Sequence, residues 1–173
     1  FLVGEPPRAL HPVAWMGKLV CLLKKIAPSQ GKRLQLVYGG IMTLLTILAF
    51  ALSVFFFLSF LHNLSPIAYI LLAALLLKIT FAFRELHQAA LKVKALLIQD
   101  NLKEAQISVT ALVSRETQNL GKPALVSATI ESVAENTCDS FVAPLFYFLL
   151  LGVPGAIAYR VVNTMDAMIG YRG

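Results

Sequence analysis

Residues 130–171 read IESVAENTCDSFVAPLFYFLLLGVPGAIAYRVVNTMDAMIGY, and this stretch decides what kind of protein the chain is. Glu131, Glu135, Asn136 and Asp139 stand before a strongly apolar run that begins at Phe141, and Asn163 and Asp166 stand after it. Residues four apart on a helix share a face, so Glu131, Glu135 and Asp139 are expected to project as one column of carboxylates. Like charges stacked in this way destabilise a helix. A cation, a phosphate carried with its metal, or protonation relieves that repulsion, and Mg²⁺ takes oxygen ligands of this kind. Glu135, Asp139 and Asp166 are the candidate metal ligands; the alternative is a solvated acidic face capping a membrane segment. The apolar run itself, residues 141–162, is interrupted by Gly152, Pro154 and Gly155. Broken segments at membrane depth are tolerated where they are buried in protein or line a cavity, so a re-entrant or discontinuous helix pair is one expectation. The other is a single span ending at Leu151, followed by a turn and a helix from Pro154. Both bring the polar ends of the run close together.

The rest of the sequence is built for the same environment. It is 58% hydrophobic and only 14% charged over 173 residues, too apolar for an ordinary soluble domain. Fifteen Lys and Arg against nine Asp and Glu give a net charge of +6. Much of the excess lies near the amino end without interleaved aromatics, which fits anionic lipid head groups as the partner and not nucleic acid. Cys21 and Cys138 are far apart and lack His or Cys neighbours, so a disulfide, a zinc site and a thiol nucleophile are not expected.

Upstream, residues 1–12 hold three prolines, a glycine and His11, and read as a structured turn. His11 is either a substrate contact or a structural hydrogen-bonding group. Residues 13–26 place apolar side chains at helical spacing, with Lys18, Lys24, Lys25 and Trp15 suited to a helix lying at the lipid interface or packed on protein. A basic loop follows, and residues 36–61 form an uncharged run longer than the roughly 20 residues a membrane span needs. Residues 67–83 return as a second, shorter span whose Lys78 can snorkel to the interface. Residues 1–35 and 84–123 each carry six Lys or Arg, whereas the turn at 62–66 carries none. The positive-inside rule then places both basic segments, and the acidic site, on the cytoplasmic side of an inner membrane. Residues 84–99 and 102–114 are expected to form amphipathic helices, the second capped by Asn101 with Glu104. Arg115, beside Glu116 and Thr117, is a candidate for holding phosphate or carboxylate. Pro123 suits the first turn of a helix that continues to Asp139. The fold class is therefore all-α, a multi-pass membrane helix bundle with amphipathic cytoplasmic or interfacial helices. It divides into regions 1–35, 36–83, 84–122 and 123–173.

Several of these stretches together resemble the CbiB/CobD family of cobalamin biosynthesis, the membrane proteins termed adenosylcobinamide-phosphate synthases. The resemblance rests on GEPPRALHPVAWMGKL from Gly4, SRETQNL from Ser114, ESVAENTCDSFVAPLFY from Glu131 and GVPGAIAYRVVNTMDAMIGY from Gly152. The last two are long and ordered. The first departs from the family pattern, with Glu5 where Asp is usual and Pro7 where Arg is usual. Members of the family begin with an apolar stretch and continue beyond the GY motif. This chain starts at Phe1 without an initiator Met and stops at Gly173, so a longer protein is expected.

What the resemblance implies is an ATP-dependent ligation of a carboxylate of adenosylcobyric acid to aminopropanol or its phosphate. Such chemistry needs an activated carboxylate, Mg²⁺ to neutralise phosphate charge, and a base for the attacking amine. Glu131, Asp139 and Asp166 are the candidates for metal or base work, and Asn136 and Asn163 for orienting hydrogen bonds. Arg115 and Arg160 would face phosphate or the corrinoid's carboxamide rim. No GxxxxGK[ST] loop is present, since Gly17, Gly31 and Gly121 precede lysines without a glycine five residues earlier, so ATP would be held in another way. A soluble enzyme delivering one substrate is an expected partner. Two alternatives stand beside the ligase: a membrane scaffold for soluble corrinoid enzymes, and an ion-coupled transporter. The transporter calls for an internal repeat of the polar-apolar-polar pattern, which the hairpin at 36–83 does not supply.

Overall fold

The computed structural model describes residues 12–28, 30–81, 83–113 and 116–170, and every regular element among them is helical. The chain divides into two compact units, one comprising Phe1–Thr80 with Ala143–Gly173 and the other Phe81–Val142.

The first unit contains α1 (Pro12–Lys25), α2 (Lys32–Leu64), α3 (Pro66–Thr80) and α7 (Ala143–Met165), the last followed by a π-helical turn at Asp166–Gly170. At 33 residues α2 is about 50 Å long, more than enough to cross a bilayer. It is apolar on every face, with Leu44, Phe56 and Phe60 exposed. Its hydroxyls are satisfied within the helix: Thr43 donates to the Gly39 carbonyl and buried Thr46 to that of Met42. The helix stops at Ser65, whose extended backbone makes a one-residue corner before Pro66 opens α3. Across that corner the His62 and Tyr69 rings meet edge to face at 5.0 Å. The expected second span is realised as α3, whose 15 residues fall short of the roughly 20 that cross a bilayer. Two helical stretches, Lys32–Leu64 and Lys122–Ile169, are long and apolar enough to cross a membrane.

Within the second of these, α7 is broken at Gly152, with φ 67° and ψ −160°, a region of backbone space open essentially only to glycine. Pro154 then sits in the first turn of the second half, where its missing N–H has no partner to lose. Tyr147 and Tyr159 stack with centroids 5.2 Å apart, although 12 residues of unbroken helix would separate their backbones by about 18 Å. Tyrosine side chains cannot bridge that distance, so the two halves fold back on one another. The observed order is helix, break at Gly152 and returning helix, which is common to a discontinuous helix pair and to a segment that ends at Leu151 and turns into a helix from Pro154. The second half presents Val153, Ile157, Val161 and Met165, each four residues on, to a core completed by Met16 and Val20 of α1 and Met42 and Leu58 of α2.

The second unit packs α4 (Phe83–Ile98), α5 (Leu102–Val109) and α6 (Lys122–Thr137) around Val93, Leu97, Ala105, Val109, Leu125 and Ala128. Half of the expected capping box forms, with Asn101 Oδ1 accepting from the Glu104 amide at 3.4 Å. α5 ends five residues before the expected position because Thr110 turns its hydroxyl back onto the Ile107 carbonyl and the chain tightens into a turn. The segment that follows is fastened to α5 by two bonds, Thr117 Oγ1 to the Gln106 carbonyl at 2.7 Å and Gln106 Nε2 to the Leu120 carbonyl at 3.0 Å.

Candidate functional site

The helix from Lys122 does not continue regularly through Asp139. It widens into a π-helical turn at Cys138–Val142 that carries Asp139 near its start. Pro144 follows closely and has no N–H for the carbonyl four residues earlier, while its ring crowds that carbonyl, so widening relieves a local conflict. Asp166 likewise opens the π-helical turn Asp166–Gly170. π turns are rare and concentrate at functional sites, and both candidate catalytic aspartates lie on one.

In the second unit Glu131 and Glu135 are exposed on successive turns of α6, and Asp139 is half-buried. Asn136 is tied to its own helix: Nδ2 donates to the Ser132 carbonyl at 2.8 Å and to Ser132 Oγ at 3.1 Å. Ser132 in turn donates to the Leu112 carbonyl, and Ser140 donates to the Asn136 carbonyl. The Asn136 amide nitrogen is thus engaged within its own helix, while the residue as a whole is exposed. Arg115 and His11 lie outside the described residues. Among those residues, no group of three or more His, Cys, Asp or Glu side chains is arranged to hold a metal ion.

In the first unit Asp166 lines a pocket of about 410 Å³, a volume typical of small-molecule sites. Lys24, Gln35, Tyr38 and Thr43 supply the other polar groups of its wall, and Met42, Val162, Met165 and Ile169 much of the apolar remainder. Arg160 and Asn163 are half-buried on α7 and lie outside that lining. Sequence reasoning missed Lys24, Gln35, Tyr38 and Thr43. Lys24 reads as one more interfacial lysine, and Tyr38 and Thr43 are hidden inside the apolar run of α2. The available signal was a tyrosine two residues into that run, since a buried phenol needs a partner for its hydroxyl.

These features define an all-helical protein with membrane-length apolar helices, a broken helix and acidic groups on two π turns. A family model described as CobD/Cbib protein matches residues 1–173. The chain is 48% identical over 170 residues to the cobalamin biosynthesis protein CobD of Dehalococcoides mccartyi, covering 98% of this chain and 55% of that protein. It is 42% identical over 172 residues to a Pyrococcus furiosus protein named "Probable cobalamin biosynthesis protein CobD", covering 99% of this chain and 57% of that one. An Archaeoglobus fulgidus protein of the same name is 41% identical over 170 residues, covering 98% and 54%. The chain belongs to the CobD/CbiB family. It spans a little over half the length of these curated relatives. No solved structure matches it.

Proposed function

We propose that the full-length protein is an ATP-dependent ligase of the inner membrane that joins a carboxylate of adenosylcobyric acid to the amine of aminopropanol or its phosphate. The observation that carries this reading is the placement of Asp166, on a rare backbone turn at the wall of a pocket of small-molecule size. Family membership supplies the pathway.

ATP would supply the activation of the acid, and Mg²⁺ would offset the charge of its phosphates. Glu135 with Asp139, or Asp166, are the carboxylates suited to holding the ion. The chain's own residues have the remaining tasks. An amine attacks only after losing a proton, and a carboxylate within reach accepts it; Glu131, Asp139 and Asp166 are the candidates for that role. The side-chain carbonyl of Asn136 can accept a hydrogen bond from an amine or a carboxamide, and Arg160 with Asn163 can orient polar groups from α7. The basic segments face the cytoplasm, where the corrinoid, the amino alcohol and a soluble enzyme delivering either would arrive.

The test is amide formation by purified full-length protein in detergent, given adenosylcobyric acid, ATP, Mg²⁺ and aminopropanol phosphate, and followed by mass spectrometry. Product is expected, and Asp139→Asn or Asp166→Asn should each abolish it while leaving the protein folded. Product formation undiminished in both variants would refute this assignment of residues, and a folded wild-type protein without product would refute the ligase.

A further inference from the structure

We propose that Ser140, through a hydrogen-bonded ladder with Asn136 and Ser132, is the positioning residue that sets the direction of the Asp139 carboxylate. This rests on the reading of Asp139 as a working carboxylate in ligation, and it gives a task there to side chains that carry no charge.

Ser132, Asn136 and Ser140 follow one another at intervals of four, along α6 and into the π turn at Cys138–Val142. At that spacing they share one helix face. Their hydrogen bonds run in a single line. Ser140 Oγ donates to the Asn136 carbonyl, and Asn136 Nδ2 donates to the Ser132 carbonyl at 2.8 Å and to Ser132 Oγ at 3.1 Å. Ser132 Oγ then donates to the Leu112 carbonyl, which lies outside the helix. Leu112 is itself a fixed point, because its amide donates to the Val109 carbonyl at 2.9 Å and its side chain packs against the core of the second unit. Ser132 and Ser140 are both buried, where a hydrogen bond is stronger than in water. The ladder ties the π turn to that core.

A hydroxyl that bonds back to the carbonyl four residues earlier draws that carbonyl outward and bends the helix. Ser140 does this where Pro144, just downstream, removes an N–H from the regular ladder. Two separate features therefore favour the widened turn. The consequence falls on Asp139, the residue before Ser140. In an unbroken α-helix it would extend the column of Glu131 and Glu135, yet those two are exposed and Asp139 is half-buried. Widening a turn by about one residue re-aims the side chains it carries, Asp139 among them. Thr129 makes the same kind of back-bond, to the Leu125 carbonyl at 2.7 Å, but takes no part in the ladder.

Hydrogen exchange followed by mass spectrometry, together with steady-state amide formation, tests the assignment on the full-length protein in detergent. Ser140→Ala should speed exchange of the Cys138–Val142 amides by about tenfold, the factor one buried hydrogen bond sustains, and leave the amides of α4 and α5 protected. The kcat should fall by about tenfold or more with KM for aminopropanol phosphate changed less than about twofold, the split expected when a group acting in the transition state is misaligned. Ser140→Thr keeps the hydroxyl and should restore both readouts. Ser132→Ala cuts the ladder at its other end and should reproduce both effects more weakly. Thr129→Val removes a back-bond of the same kind outside the ladder and should change neither. Unchanged exchange or unchanged kcat in Ser140→Ala would overturn the proposal. So would an equal loss in Thr129→Val, which would reduce the effect to general softening of the helix. The exchange readout needs neither ATP nor corrinoid, so a wild type that forms no product refutes ligation while the ladder is still upheld or overturned by exchange.

Discussion

Replacing Gly155 by alanine adds one methyl group at the tightest point of the broken helix. A Cβ built there would lie 2.5 Å from the Leu151 Cβ and 2.5 Å from the Tyr147 carbonyl oxygen. Carbon contacts are ordinarily about 3.5–4.0 Å, so the new atom would intrude by about 1 Å on two neighbours at once. Neither can swing away, because one is backbone and the other is attached directly to it. Overpacking of this kind costs about 1–3 kcal/mol, and with two rigid obstacles the upper end applies. Alanine's better helix propensity returns about 1 kcal/mol, leaving a net loss of about 2 kcal/mol. Gly40 is the control, since it lies inside α2 with nothing within 4 Å of its would-be Cβ. The same substitution there should stabilise by about 0.5–1 kcal/mol. Unfolding of both variants in detergent by a denaturant titration measures the difference, and near-ultraviolet circular dichroism reports on the Tyr147–Tyr159 stack. Gly155→Ala unfolding at or above the wild-type midpoint, with the tyrosine signal unchanged, would refute the fold-back geometry derived for α7.

Other expectations follow from the second unit and from the break itself. Leu125 is fully buried among α4, α5 and α6, so Leu125→Ala should destabilise that unit by about 2–5 kcal/mol, measured by hydrogen exchange of its amides. Ser132→Ala removes the donor to the Leu112 carbonyl and one partner of Asn136, at a cost of about 1–3 kcal/mol by the same measurement. The Lys122 ammonium hydrogen-bonds Asp100 at 2.6 Å and holds its carboxyl below the ordinary value. A carboxylate whose folded pKa is depressed contributes stability that is complete above its unfolded pKa and is lost as pH falls through the folded one, so any contribution fades below about pH 4. Both groups are largely exposed, so the effect is small and salt-sensitive. Lys122→Met should remove this part of the acid dependence, seen as a smaller difference between unfolding midpoints at neutral and acid pH. Gly152→Ala should cost about 1–3 kcal/mol, because alanine cannot adopt the backbone angles found there without strain.

Much of the architecture was readable before any coordinates. The uninterrupted apolar run of α2 announces a membrane-length helix, and Gly152, Pro154 and Gly155 announce a break. Composition could not say which of these three residues carries the break, because all three disfavour regular helix; the positive φ marks Gly152. The π turns were invisible for a related reason. A π turn differs from an α turn by one residue per closure, and hydrophobic periodicity over five residues does not resolve that difference. Pro144, placed just after Asp139, is the local hint. The early end of α5 reflects a hydroxyl of Thr110 competing for a backbone carbonyl, which helix patterning ignores. The acids of the candidate site were found because charge is conspicuous beside apolar sequence. Lys24 and Tyr38 were overlooked because they are brought to Asp166 by tertiary packing between segments at opposite ends of the chain.

The four-residue stripe of Val153, Ile157, Val161 and Met165 makes the core and the pocket wall a single mechanical register. Each helical residue advances the chain by about 100°, so inserting or deleting one residue between Val153 and Met165 would turn Asp166 away from the cavity at the same stroke that it turned the apolar stripe out of the core. Length changes are therefore doubly penalised in this segment. Point substitutions that preserve bulk can accumulate along it, but its spacing cannot drift.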